Sequence, residues 1–301
     1  MTKKMIGNHQ GKPFLKWVGG KSQLLNYIER KMPDLKGYTY IEPFVGGGAV
    51  LWHVLNTFPP KRIIINDLNP TLITAYKIVR DRTDDLIEEM KKIHETYASC
   101  KCLEEKKDYY LFSRERFNKT GLCELEKTAL FIFLNKTSYN GLFRVNTKGA
   151  FNSPFGKYTN PLICDESTLR NDAKLLKDNN IQIVQGDFSR TSQYVDENTF
   201  VYLDPPYKPL SITARFTSYN TTGFDDEEHR RLKNFCDEIN NRHGCFLLSN
   251  SDTMQCSPPD PFFDDLYSEY HIERVEAPRR INCKGDGRGK ITEILVTNVD
   301  K

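Results

Sequence analysis

The sequence predicts an α/β fold whose nucleotide-binding sheet is interrupted by a long, mostly helical insertion. Three observations carry this expectation. Residues 38–67 read as strand, Gly-rich turn, helix, strand and acid. More than 110 residues then pass before the next convincing strand, most of them with helical period. The strands that follow include one running straight into Asp204-Pro205-Pro206-Tyr207.

Tyr38–Ile41 is a short β-prone run closed by Glu42-Pro43. Phe44-Val45-Gly46-Gly47-Gly48 follows, then a helical pattern over Ala49–Leu55 and a second strand over Arg62–Ile65 ending in Asn66-Asp67. Asp67 lies 21 residues after Gly46. Glycines admit a ligand close to the backbone, and an acid at the end of the second strand accepts from ribose hydroxyls, so this unit suits an adenosine-containing cofactor. Leu72–Val79, Asp85–Tyr97, Lys107–Phe117 and Leu125–Leu134 carry helical period. They define an insertion at 70–165 between catalytic segments 1–69 and 166–301. Strands resume at Ile181–Val184, Thr199–Leu203, Phe246–Ser249 and Ile291–Thr297, with a helix from about 226 to 240 capped by Asp225-Asp226-Glu227-Glu228.

Charge is distributed unevenly. Residues 1–28, 127–160 and 278–290 hold 15 of the 43 basic residues and 1 of the 40 acidic ones. If they converge they form a basic cleft suited to a polyanion. The middle stretch interleaves its cations with Tyr139, Phe143, Phe151, Phe155 and Tyr158 and with Asn135, Asn140, Asn146 and Asn152. Aromatic rings stack on bases and amides read base edges. Eight cysteines without a C-x-x-C pair point to reduced thiols, and the six histidines make no H-E-x-x-H, so no metal is expected. No apolar run is long enough to cross a bilayer and no secretory signal is evident, so the expected location is the cytoplasm.

Asp204-Pro205-Pro206-Tyr207 is placed for chemistry, because ligands of open α/β sheets sit at the carboxyl ends of strands. Proline stiffens the backbone after the acid and lacks an N–H, so the local backbone offers carbonyl acceptors rather than donors. With the Asp204 carboxylate and the Tyr207 ring, the turn suits a planar substrate bearing an NH2 group. No cysteine is nominated as a nucleophile: a Pro-Cys pair, expected for methylation of a cytosine ring carbon, is absent.

These motifs together resemble Dam-type DNA adenine-N6 methyltransferases, the class in which the cofactor motif precedes DPPY, over nearly the whole chain. Phe14-Leu15-Lys16-Trp17-Val18-Gly19-Gly20-Lys21, Glu42-Pro43-Phe44-Val45-Gly46-Gly47-Gly48-Ala49, Asn66-Asp67, Asp187-Phe188, Phe216-Thr217-Ser218-Tyr219 and Phe224 all fit that family. The resemblance implies a Rossmann-like S-adenosylmethionine-dependent sheet with an inserted target recognition domain. It implies cofactor binding by Trp17, Lys21, Pro43, Phe44, Gly46, Gly48, Asp67, Asp187, Phe188 and Asp204, and catalysis by Asp204, Pro205, Pro206 and Tyr207. Tyr139–Asn146 and Phe151–Gly156 resemble the recognition hairpin of methylases acting on GATC. By that likeness Lys16, Tyr139, Asn140, Leu142, Arg144 and Pro154 contact double-stranded DNA, with Arg144 reading a guanine and Tyr139 wedged beside a displaced adenine. The implied activity is adenine-N6 methylation in duplex DNA within GATC by a chain working as a monomer. Both a housekeeping role and partnership with a restriction enzyme stay open. So do two rivals: the same pocket acting on RNA or a protein glutamine, and a non-catalytic DNA-binding regulator.

Overall fold

The computed structural model describes residues 10–17, 19–210, 223–277 and 291–299. The expectations placed on Phe216–Tyr219, on Val18 and on the basic residues of 1–9 and 278–290 lie outside the described residues. The described strands are β1 (Thr39–Glu42), β2 (Arg62–Asp67), β3 (Gln182–Gln185), β4 (Thr199–Leu203), β5 (Cys245–Ser251), β6 (His271–Ala277) and β7 (Ile291–Thr297). The described α-helices are α1 (Leu25–Lys31), α2 (Ala49–Thr57), α3 (Pro70–Asp81), α4 (Thr83–Ser99), α5 (Leu103–Asn118), α6 (Glu124–Thr137), α7 (Glu166–Asp178), α8 (Asp226–Asn241) and α9 (Phe262–Leu266). The chain divides into two compact units, one of residues 1–20, 46–57 and 69–185, the other of 21–45, 58–68 and 186–301.

The second unit holds the sheet that positions the chemistry. Its strands lie in the order β2-β1-β4-β5-β7-β6. β2, β1, β4 and β5 are parallel, while β7 runs antiparallel to both β5 and β6. A parallel strand is buried on both faces and reads as a continuous apolar run. Thr199-Phe200-Val201-Tyr202-Leu203 does so, and every residue of it is buried. Strand order reverses between β1 and β4. At that switch the two strands are in register, Ile41 beside Val201, so Pro43 and Asp204 emerge from adjacent carboxyl ends. Helix α8 begins where its acids predict: the Asp225 carboxylate accepts from the Glu227 and Glu228 amides at 3.0 Å each.

The first unit is helical apart from β3. Helix α3 starts at Asn69, whose side chain accepts from the Thr71 and Leu72 amides, with Pro70 at its first position. Helix α6 is apolar on nearly all sides: Ala129 through Leu134 are buried without a break. Between α6 and α7 the chain forms an irregular hairpin. Val145 bridges Phe151, the Asn152 amide donates to the Arg144 carbonyl at 2.9 Å, and the Tyr139 amide donates to the Pro154 carbonyl at 2.9 Å. Phe117, Phe131, Phe143 and Phe151 pack beneath it with ring centroids 5.4–6.3 Å apart. Helices α1, α7 and α9 and strand β6 were not anticipated. Charged residues interrupt α7 so often that its apolar stripe (Leu169, Ala173, Leu176) shows only once a partner surface is known. In β6, His271-Ile272-Glu273-Arg274 looks like a loop until β7 pairs with it.

Candidate active site

The tetrapeptide Asp204-Pro205-Pro206-Tyr207 leaves the end of β4 inside the second unit. Asp204 is 22% exposed; Pro205 is buried, Pro206 exposed and Tyr207 half-buried. Among the described residues the Asp204 carboxylate has two hydrogen-bonding neighbours. The Lys21 ammonium, 6% exposed, lies 2.8 Å from Oδ1, and the Ser249 hydroxyl of β5 donates to the same oxygen at 3.2 Å. Ser249 is in turn 3.0 Å from the Tyr202 hydroxyl. Burial pushes the Asp204 carboxyl above the usual aspartate range, while Lys21 and Ser249 pull it back. The Lys21 ammonium also sits over the Tyr207 ring, 4.4 Å from its centroid. The Tyr207 hydroxyl donates to Glu293 of β7 at 2.6 Å. Thus Asp204, Lys21, Tyr207 and Glu293 form one chain of alternating charge and ring. Lys21, expected among the cofactor contacts, has its ammonium on Asp204.

Other expected cofactor residues of this unit gather at the same sheet edge. Asn66, fully buried, donates to the carbonyls of Pro43 and Gly186 at 2.9 Å each, and its own carbonyl accepts from the Val45 amide at 2.9 Å. One side chain therefore ties together the loops that follow β1 and precede Asp187. Asp67 stands at the end of β2, with its backbone carbonyl accepting from the Gly186 amide at 3.1 Å. Phe44, Phe188 and Phe224 form an aromatic cluster with centroids 5.4–6.4 Å apart. Asp187 caps the turn that opens at Phe188, accepting from the Ser189 amide and hydroxyl, and takes a bidentate pair from Arg231 at 2.8 and 2.7 Å. Arg231 holds the Asp187 carboxyl well below the usual range. The guanidinium also covers the Phe188 ring at 4.2 Å. Asp187 thus supports Phe188 and its turn.

The remaining expected residues belong to the first unit. Gly46 (φ 48°) and Gly48 (φ 72°) have left-handed backbone, and a Cβ on Gly46 would lie 2.9 Å from the Trp17 ring. Trp17 itself stacks on Phe143 at 6.0 Å. The DNA candidates cluster about the hairpin. The Asn135 amide group donates to the carbonyls of Lys16 and Gly141, at 2.7 and 2.9 Å, and its oxygen accepts from the Lys16 amide. At Gly141 (φ 65°) a Cβ would lie 2.5 Å from Lys16 Cβ, so only glycine lets the two segments meet. Tyr139 is 51% exposed, and Lys16, Asn140, Arg144 and Pro154 are exposed as well, with Leu142 half-buried. Arg144 Nε donates to the Asn152 side chain at 2.9 Å. A large exposed aromatic ring beside unneutralised cations suits a nucleic-acid surface.

The chain matches the family model of D12 class N6 adenine-specific DNA methyltransferases over residues 17–281. It belongs to that family. The methyltransferase is 47% identical over 294 residues to the type II methyltransferase M.MjaIII of Methanocaldococcus jannaschii, covering 95% of this chain and 99% of that one. It is 37% identical to the type II methyltransferase M1.LlaDCHI of Lactococcus lactis, covering 95% of each chain. With the DNA adenine methylase of Escherichia coli it shares 36% identity, again over 95% of each. This enzyme is therefore an adenine-specific DNA methyltransferase on a Rossmann-like α/β sheet, and family membership implies S-adenosylmethionine as methyl donor. Among the described residues no helix is long and apolar enough to cross a membrane, and no cluster of three metal-ligating side chains occurs.

Three residues of the methyltransferase's site escaped sequence reasoning. Ser249 could have been flagged as a hydroxyl inside the buried run Phe246-Leu247-Leu248-Ser249. Glu293 is a lone acid in the apolar strand Ile291-Thr292-Glu293-Ile294-Leu295. Asn66 was seen only as the neighbour of Asp67.

Proposed function

We propose that the enzyme methylates the N6 position of adenine in double-stranded DNA, within GATC, in the cytoplasm and as a monomer. The observation that carries this reading is the turn at the end of β4, where a half-buried carboxylate and a half-buried ring face a common cation, Lys21. An exocyclic amine offers donors and a π-face to the same two groups. Its lone pair is delocalised into the purine, so it is a poor nucleophile. Asp204 and the Pro205 carbonyl accept its hydrogens, draw the nitrogen toward tetrahedral geometry and localise the lone pair. Tyr207 stacks on the base, which must leave the duplex to reach this pocket. Lys21 favours the ionised form of Asp204. When bound, S-adenosylmethionine supplies a methyl group on a positively charged sulfur.

The donor set fits that cofactor. Phe44, Phe188 and Phe224 offer aromatic faces to its purine, the Asp67 carboxylate accepts from its ribose hydroxyls, and Pro43 lets backbone approach it closely; within the first unit Gly46 and Gly48 shape the Gly-rich turn. Trp17 supports this turn. Replacing Asp67 by alanine is predicted to weaken S-adenosylmethionine binding by ~1.5–3 kcal/mol, the worth of a hydrogen bond to a charged group. Unchanged affinity by isothermal titration would remove the ribose assignment.

We assign residues 70–165 to target recognition, with 1–69 and 166–301 as the catalytic part. Arg144 reads a guanine through O6 and N7, Leu142 and Pro154 meet a thymine methyl, Lys16 contacts the outer guanine, Asn140 supports the hairpin contact, and Tyr139 wedges into the stack. Arg144→Ala is predicted to cost ~1–3 kcal/mol at one guanine and to relax selectivity there. Equal weakening on every sequence would mark Arg144 as a phosphate contact instead. The direct test of the whole reading is methylation of genomic DNA followed by sequencing that reports modified adenines and their flanks. Marks confined to GATC support it; methyl transfer to RNA alone overturns it. The type II names of two relatives favour service as the modification partner of a restriction enzyme, which a neighbouring nuclease specific for the same site would test.

A further inference from the structure

We propose that Glu293 is a positioning residue for the reaction, acting through Tyr207. The inference rests on the reading of Asp204–Tyr207 as the amine-binding turn. Tyr207 follows two prolines at the point where β4 has ended, so no ladder hydrogen bond holds its ring. The ring is anchored at its far end, where the hydroxyl gives its single proton to Glu293 at 2.6 Å. That distance is characteristic of an O–H donor on a carboxylate.

Glu293 is well placed to serve as a fixed post. It sits in β7, the strand between β5 and β6, and is paired in register with Ser251 on one side and Val275 on the other. Strand β5 also supplies Ser249, which holds the Asp204 carboxylate. The acid and the ring of the turn are therefore both braced from the paired strands β5 and β7, by Ser249 and Glu293. A stacking platform works only when its plane is set before the base arrives, because reacting groups a fraction of an ångström out of place lose rate steeply. The groups that face Glu293 are Tyr207 by hydrogen bond and Lys21 and Asp204 by charge.

The test is a double-mutant cycle on the full-length enzyme. Methylation of a GATC duplex is followed with labelled S-adenosylmethionine for wild type, Glu293→Ala, Glu293→Gln, Tyr207→Phe and the Glu293→Ala/Tyr207→Phe pair. Glu293→Ala is expected to lower kcat about tenfold or more, the effect of freeing one charge-assisted hydrogen bond, with KM for S-adenosylmethionine unchanged. Glu293→Gln, whose amide oxygen still accepts, restores most of the rate. In the Tyr207→Phe background Glu293→Ala has no further effect. Wild-type rates in Glu293→Ala, no recovery in Glu293→Gln, or a full additional loss in the pair would each overturn the proposal. If thermal melting shows that Glu293→Ala does not fold, Glu293→Asp takes its place, and its loss must likewise vanish beside Tyr207→Phe. A wild-type enzyme that leaves adenine in DNA unmethylated sinks the underlying reading instead, which keeps the two failures apart.

Discussion

Replacing Asp204 by alanine is expected to lower methyl transfer to adenine by about 10²–10⁴-fold, the range seen when a positioned acid or base is removed. S-adenosylmethionine binding should largely survive, because Phe44, Asp67 and Phe188 are untouched by the change. The structural reason for so large an effect is that Asp204 is the acid at the turn, with Lys21 and Ser249 aimed at it. Alanine would remove the carboxylate that lies 2.8 Å from the buried Lys21 ammonium. Single-turnover rates with saturating cofactor, alongside titration calorimetry, check both halves. Full activity would refute the catalytic role, and loss of cofactor binding in parallel would point to a collapsed site.

The second large effect concerns Lys21. Burial raises the Asp204 carboxyl and Lys21 lowers it, so replacing Lys21 by methionine removes the group that favours the ionised form. The sign follows directly. Methyl transfer needs the carboxylate, so kcat/KM falls as pH drops through the Asp204 pKa. In Lys21→Met that fall begins at higher pH than in wild type. Raising the pH should recover activity in the variant. An acid limb unmoved by the substitution would show that Lys21 does not control the charge of Asp204. A uniform loss at all pH values, with weaker cofactor binding, would return Lys21 to the cofactor contacts expected from the sequence.

Family membership has a further consequence for how the two compact units are read. The Tyr139 ring is exposed on the hairpin, and Lys16 and Arg144 have no carboxylate partner among the described residues, while Phe117, Phe131, Phe143 and Phe151 supply the apolar packing beneath. Under the proposed function these residues meet DNA. Arg144 is already restrained by Asn152, so on the proposed reading less side-chain freedom is lost on binding.

The amino-acid sequence by itself determined the local structure and the chemical vocabulary. The buried run at 199–203, the acids that cap α8, the Gly-rich turn before α2 and the Pro-Pro stop after Asp204 are each governed by contacts or backbone limits within a few residues, and each appears where the sequence expects it. Tertiary structure alone decided who faces whom. Glu293 meets Tyr207 across 86 positions and Ser249 meets Asp204 across 45, through strand pairings that no local pattern encodes. The same holds for Lys21 on Asp204 and for Arg231 on Asp187. A long, flexible charged side chain can satisfy many partners, and only the folded sheet brings one of them within 3 Å. That is why the acid at the end of β4 was legible in the sequence, while the partners that meet it and its neighbouring ring were not.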